Sequence, residues 1–346
     1  MAVELDIEQP GALLAYLRDT ARLGADEAPS ITVLEGGVSN RTLLVERSGG
    51  ISWVIKQALP RLRVATEWNS EPARIEREGM ALRCLPGLLP LGCTPRFVFE
   101  DPRHHLLAME AVPQPHVNWK TCLLRGQVDP GLVRCFAEML GRLHGLGRGA
   151  TAAKTFDDRS FFESLRLDPY YRFTAARQPA AQDFMDQLIR DTLATRLSLV
   201  HGDYSPKNAL VREGRLVLLD FEVIHFGDPA FDVGFALTHL LSKAHHLPQH
   251  RGAFLEAARL FWATYIESLG LTRAGAGLEH RAVRHTLGCL LARVCGRSPL
   301  EYLTQSQQDW QRAQVLRLMQ EAPGDLESLL AQWAEGLRGK DHDVHD

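Results

Sequence analysis

The sequence predicts an α+β chain of two lobes, a small and mainly antiparallel sheet followed by a larger, mainly helical half. Three observations carry that expectation. The segments ITVLEGG, RTLLVER and ISWVIKQAL, between residues 31 and 59, are rich in β-branched and apolar residues and are separated by glycines. From about Pro113 onward nearly every segment repeats its apolar residues at helical spacing. Within that second half, VHGDYSPKNALVREGRLVLLDFEV (200–223) sets two short apolar runs beside Asp203, Asn208, Asp220 and Glu222. The turn between those runs is already provided by Glu213-Gly214, so the four polar residues need another reason to be there.

The elements follow in order. GALLAYLRDTARLG (11–24) reads as a helix, and Ser48-Gly49-Gly50 as a hairpin turn between the second and third strands. SEPARIEREGMALRCLPGL (70–88) reads as a helix with Pro72 near its start and Ile75, Met80, Leu82 and Leu85 near a 3.6-residue period. PRFVFED and HHLLAMEAV are two further strands, joined by Pro102-Arg103. The helical half contains GLVRCFAEMLGRLHGLG, AAQDFMDQLIRDTLATR, AFDVGFALTHLLSKA, RGAFLEAARLFWATYIESL and QRAQVLRLMQ. The expected division is residues 1–113, residues 114–338 and a polar, disordered tail at 339–346, with a short hinge near Pro113–Pro115 over a shared cleft.

Composition narrows the function. A chain of 346 residues with 45% hydrophobic and 23% charged residues is globular, and a formal net charge of −3 gives no bulk attraction for nucleic acid or an anionic membrane. Small-molecule chemistry is the natural expectation. The six cysteines form no C-x-x-C pair, as expected of reduced, buried thiols, and no segment reads as a signal peptide or a membrane span. The expected compartment is the cytoplasm.

Phosphoryl transfer accounts for the polar rim, because it needs a carboxylate to orient the attacking hydroxyl and hard oxygen ligands for Mg²⁺ on the nucleotide phosphates. Here H-G-D-Y-S-P-K-N is followed by D-F-E and then by Gly227-Asp228-Pro229 and Asp232. This combination resembles the aminoglycoside phosphotransferase and choline kinase superfamily, with a D-x-E motif as in choline and methylthioribose kinases. The resemblance implies a protein-kinase-like fold, ATP with Mg²⁺, Asp203 as the catalytic residue, and Asn208, Asp220 and Glu222 on the metal. It also implies that His201 and Asp232 brace the loop rather than react. Ser205 stands where protein kinases carry a lysine, so any phosphate role of that lysine is absent or moved.

The first half supplies the other parts that such a kinase requires. Gly36, Gly37, Ser39 and Asn40 lie between the first two strands, where backbone N–H groups can approach phosphates. Lys56 lies on the third strand, and a solvent-facing edge lysine is the alternative. Glu78 is its expected partner by likeness to the family's R-E-x-x-x-L helix, with Glu76 as the fallback. Met109, Glu110 and Val112 end the last strand, where related kinases bind adenine through main-chain groups.

The acceptor is expected to be a small molecule, since the twelve positions from Asp220 to Asp232 leave no room for a peptide-docking segment. FFESLRLDPYYR (161–172) and ARVCGRSPLEYL (292–303) are the expected pocket segments, with Arg166, Asp168, Tyr170 and Arg172 as candidate contacts to a sugar, amino alcohol or hydroxy acid. The alternative is a nucleotide-binding regulatory module with little or no turnover.

Overall fold

The computed structural model describes residues 5–35, 37–63, 68–270 and 275–343. Its first part is a five-stranded antiparallel sheet of β1 (Ser30–Val33), β2 (Asn40–Glu46), β3 (Trp53–Ala58), β4 (Phe97–Asp101) and β5 (Leu106–Glu110), in the order β1-β2-β3-β5-β4. Strand side chains alternate between two faces, and the two faces here do different work. Leu43, Val45, Trp53, Ile55, Leu106 and Ala108 pack with Leu13 and Leu17 of α1 (Pro10–Asp19) into one small core. On the other face, Leu107 and Met109 join the main core with Ile75, Ala81 and Leu82 of α2 (Arg74–Cys84). Lys56, one position from Ile55, therefore projects to the face that α2 covers. The first helix ends at Asp19, short of the expected residue 24, because Ala21 turns to φ +53°.

The remainder is mainly helical: α3 (Trp119–Leu124), α4 (Pro130–Leu146), α5 (Ala150–Thr155), α6 (Ser160–Phe162), a π-helix (Glu163–Arg172), α7 (Phe173–Arg177), α8 (Gln182–Ala194), α9 (Ala230–His246), α10 (Arg251–Leu269), α11 (Gly275–Cys295), α12 (Gln305–Gln320) and α13 (Leu326–Asp343). α9 is buried from Ala230 to His245 and forms the axis of this half, packed by α10 and α11. α13 continues to Asp343, five residues into the segment expected to be a disordered tail.

Short ladders fix the polar rim between the helices. β6 (Val117–Asn118), β8 (Ala209–Arg212) and β9 (Arg215–Leu218) form one sheet, and β7 (Ser198–Val200) pairs with β10 (His225–Gly227). Arg212 pairs with Arg215 across Glu213 (φ +52°) and Gly214 (φ +71°), the two-residue turn whose twist suits a tight hairpin. No described helix is long and apolar enough to cross a membrane. The six cysteines are free thiols, but the expectation that all are buried holds only for Cys93 and Cys289: Cys122, Cys135 and Cys295 are half-buried, and Cys84 ends α2 on its solvent side.

Candidate active site

β3 and α2 deliver Lys56 and Glu78 to the same point. The Lys56 ammonium lies 2.8 Å from Glu78 Oε1 and 3.2 Å from Asp220 Oδ1. Glu78 is fully buried, whereas Glu76, one face away on the helix, is half-buried and lies 3.9 Å from His105. Burial alone would discharge the lysine, but Asp220, Glu78 and Glu222 outweigh it and hold Lys56 charged. Burial raises Glu78 to about 7, against Lys56 and with Asp220 and Glu222 adding to the rise. Burial would raise Asp220 as well, but Lys56, Lys207 and Arg166 keep it below the usual carboxylate range. Asp220 sits at φ +67°, a region that strains a side-chain-bearing residue and recurs at functional sites.

The loop after β7 is held by a single buried carboxylate. Asp232, near the start of α9, accepts the His201 N–H at 2.6 Å and the Gly202 N–H at 2.8 Å. His144 Nε2 lies 3.1 Å from Asp232 Oδ2, and its Nδ1 lies 2.9 Å from the Tyr265 hydroxyl, so the Nε2–H tautomer satisfies both contacts. Gly202 turns at φ +79°, and a Cβ there would meet the Val223 carbonyl at 2.9 Å, so only glycine fits. The turn presents Asp203, whose Oδ2 accepts from Asn208 Nδ2 at 2.7 Å and from Arg166 Nη2 at 2.8 Å.

Glu222 is engaged from the sheet side. Its Oε2 accepts from Arg74 Nε and from Asn40 Nδ2, each at 3.1 Å. Arg74 is fully buried and also donates to the carbonyls of Ser39 and Leu59. Arg74 and Glu222 thus tie the loop before β2 to the rim of the helical half. Gly36 lies outside the described residues. Gly37, Ser39 and Asn40 line a cavity of about 700 Å³ together with Lys56, Asn208 and Asp220. Met109, Glu110 and Val112 line the same cavity at its far end. The Glu110 N–H is bound to the Arg96 carbonyl and the Ala111 N–H to that of Ser52.

The four acceptor candidates separate. Arg166 is buried, donates from Nε to the Gly202 carbonyl at 2.9 Å, and meets Asp203. Tyr170 is buried and its hydroxyl accepts from Arg293 Nη1 at 3.1 Å. Asp168 and Arg172 pair with each other on an exposed face, and neither lines the cavity. All four stand on the π-helix, a rare geometry found often at functional sites. Sequence reasoning did not single out Arg74, whose partner Glu222 lies 148 residues away, and covered Arg293 only within the segment 292–303, with its partner Tyr170 123 residues away.

Residues 30–267 match the model of a family described as the phosphotransferase enzyme family. The methylthioribose kinase of Pectobacterium atrosepticum is 28% identical over 277 residues, 68% of each chain. That of Cronobacter sakazakii is 27% identical over 258 residues, 66% of this chain and 64% of its own, so the chain spans about two thirds of the length of these relatives. Among solved structures, the amicoumacin kinase hAmiN in complex with AMP-PNP, Ca²⁺ and Ami aligns with a TM-score of 0.58 at 15% identity, over 90% of this chain and 94% of that one. A choline/ethanolamine kinase family protein from Mesorhizobium loti aligns with a TM-score of 0.52 at 17% identity, over 93% and 99%.

Proposed function

The chain belongs to the phosphotransferase enzyme family, ATP-dependent kinases of small molecules, and we propose that it transfers the γ-phosphate of ATP to a hydroxyl that Asp203 receives. The observation that carries this reading is the position of Lys56, held between Glu78 at 2.8 Å and Asp220 at 3.2 Å beside the Asp203–Asn208 pair. ATP takes the cavity of about 700 Å³, with adenine toward Met109–Val112 and the phosphates under the loop of Gly37, Ser39 and Asn40. Lys56 meets the α and β phosphates.

The donor set fits a hard divalent cation, and Mg²⁺ is the ion proposed: Asp220 gives a carboxylate, Asn208 an amide oxygen, and Glu222 a second carboxylate. Among the described residues no three His, Cys, Asp or Glu side chains form a metal cluster by themselves. Such a site suits Mg²⁺, which is commonly held by one or two carboxylates together with the phosphates of the nucleotide. The ion, when bound, neutralises charge on those phosphates.

Asp203 works by position. Arg166 and Asn208 both occupy Oδ2, which leaves Oδ1 clear of them to take the acceptor's hydroxyl proton. The acceptors to test are sugars, including the methylthioribose named for the relatives, amino alcohols and hydroxy acids. The ATP donor and the free thiols suit the cytoplasm, the compartment we propose.

Titration calorimetry with Mg-ATP, followed by an ADP-release screen over those three classes, tests the reading. The expected result is Mg²⁺-dependent nucleotide binding and release of ADP with at least one acceptor. A wild-type protein that binds no Mg-ATP would refute it.

A further inference from the structure

Behind the catalytic loop lies a second group of charges that nucleotide binding does not use. α9 places His239 and Lys243 one turn apart, α11 contributes Arg293, α3 contributes Lys120, and Tyr302 follows α11. Lys243 is fully buried, yet among the described residues its ammonium reaches only the His239 carbonyl at 3.3 Å and the face of Tyr302, 5.2 Å from the ring centroid. A buried ammonium ordinarily has a carboxylate beside it. The carboxylate that faces this one, Glu301, is paired with Lys120. Among the described residues, the buried His239 Nε2 and Tyr302 hydroxyl likewise have no hydrogen-bond partner.

The charges that act on His239 show what gathers there. Burial keeps the ring neutral, and Lys243, Arg293, Lys120 and Lys207 all push the same way. Lys243 is brought down to about 7 by burial, with Lys120 and Arg293 repelling it and Glu301 opposing. Three cations, Lys120, Lys243 and Arg293, thus meet one carboxylate, Glu301, which is already paired with Lys120.

A chain of contacts leads from this group to the reaction centre. Arg293 donates to the Tyr170 hydroxyl at 3.1 Å, and the Tyr170 ring lies 5.6 Å from the Arg293 guanidinium and 5.8 Å from that of Arg166. Arg166 in turn holds Asp203 at 2.8 Å. Arg293 is therefore two side chains from the carboxylate that meets the acceptor hydroxyl, a separation that a small bifunctional molecule can span.

Resting on the kinase reading above, we propose that the acceptor carries an oxyanion, a carboxylate or a phosphate ester, seated against Arg293, Lys120 and the Tyr302 hydroxyl while its own hydroxyl meets Asp203. Among the described residues, Arg293 offers an Nε without a hydrogen-bond partner, and the Tyr302 hydroxyl has none. Lys243 and His239 lie behind them. Lys243 acts through its field, which weakens little across a water-poor interior. The same field repels a cationic acceptor.

Two measurements test this. Sulfate and malonate are titrated calorimetrically into protein saturated with Mg-AMP-PNP, which occupies the phosphate-binding groups of the nucleotide cavity. Saturable binding is expected, weakened tenfold or more in Arg293→Gln and in Lys243→Met. Absence of binding to the wild type, or equal affinity in folded variants, would overturn the proposal. Should Arg293→Gln misfold, Lys243→Met carries the test, because it keeps side-chain length while removing an unpaired buried charge. In the second arm, ADP release is compared for glycerate against glycerol, gluconate against glucitol, and ribose 5-phosphate against ribose. An acid preferred at least tenfold in kcat/KM supports the proposal, and the carboxylate and phosphate pairs distinguish the two oxyanions. Preference for neutral or cationic acceptors in a protein that binds Mg-ATP overturns this inference and leaves the kinase reading standing. Absence of Mg-ATP binding removes the kinase reading itself.

Discussion

Arg166 Nη2 lies 2.8 Å from Asp203 Oδ2, the same oxygen that accepts from Asn208 Nδ2 at 2.7 Å. Protein kinases place a lysine two residues after this aspartate, where the present chain has Ser205. The π-helix instead brings a guanidinium to the aspartate from 37 residues upstream. Because its Nε is fixed on the Gly202 carbonyl at 2.9 Å, Arg166 holds the loop backbone and the carboxylate together.

Arg166→Met is therefore expected to lower kcat by roughly 10²- to 10³-fold, the scale on which positioned charges act in a reaction centre. The Mg-ATP Kd should change little, and Arg166→Lys should restore part of the rate. Steady-state kinetics with the acceptor found in the screen check this. An unchanged kcat would mean that Asp203 is oriented without Arg166.

Asp203→Asn should keep the fold and Mg-ATP affinity while removing about 10²- to 10⁴-fold of turnover, because an amide keeps the size of the group but not its basicity. A thermal melt, calorimetry and ADP release on one preparation separate the three properties. Full activity would exclude the proposed role.

Lys56→Met should abolish most phosphate binding and also destabilise the fold by ~3–5 kcal/mol, since it leaves Glu78 buried without its cation. Adding Glu78→Gln should recover much of that stability but none of the activity. Urea unfolding of the two single variants and the double variant gives the coupling between them. Additive losses would show that the pair is not a unit.

How much of this was legible beforehand depended on how local each signal was. The spacing from Asp203 to Asn208 and the strand end at Asp220 lie within one hairpin, so the sequence displays them side by side. Lys56 followed from the kinase resemblance, which requires a lysine on the third strand, but the choice between Glu78 and Glu76 needed the helix phase against the sheet, and it is Glu78 that lies 2.8 Å from the ammonium. Arg74 was not singled out, since nothing near it in the sequence points to Glu222, yet it is fully buried beneath the loop before β2. Among the acceptor candidates, segment 161–172 read as one unit. Its π-geometry splits that unit into a buried face with Arg166 and Tyr170 and an exposed pair, Asp168 and Arg172.

Glu222→Gln distinguishes two roles for this side chain. A metal role predicts a raised Mg²⁺ requirement in ATP binding. A role confined to Arg74 and Asn40 predicts lower thermal stability with unchanged Mg²⁺ dependence. The expected result is both, because one oxygen takes the two donors and the carboxylate has a second. Unchanged Mg²⁺ dependence would remove Glu222 from the metal set.

Lys243 gives a pH signature whose sign is fixed by the direction of its shift. Burial, then Lys120 and Arg293, depress its folded pKa to about 7, with Glu301 opposing, against 10.5 for a free lysine. Below about 7 both folded and unfolded chains carry the proton, and the folded state bears the full cost of a buried charge. Between about 7 and 10 the unfolded chain binds the proton that the folded chain has released, so this group's penalty shrinks as pH rises. Lys243→Met should accordingly be more stable than the wild type at pH 6.5 by about 3–5 kcal/mol, and the difference should nearly vanish by pH 10. Urea unfolding of both proteins across that range measures it, and other titrating groups, including Glu78, cancel in the comparison. An oxyanion at Arg293 raises the Lys243 pKa, so saturating malonate should stabilise the wild type most at the acid end of the range and the variant much less. A difference between wild type and variant that is flat with pH would mean that Lys243 finds enough partners in the folded chain to stay charged throughout.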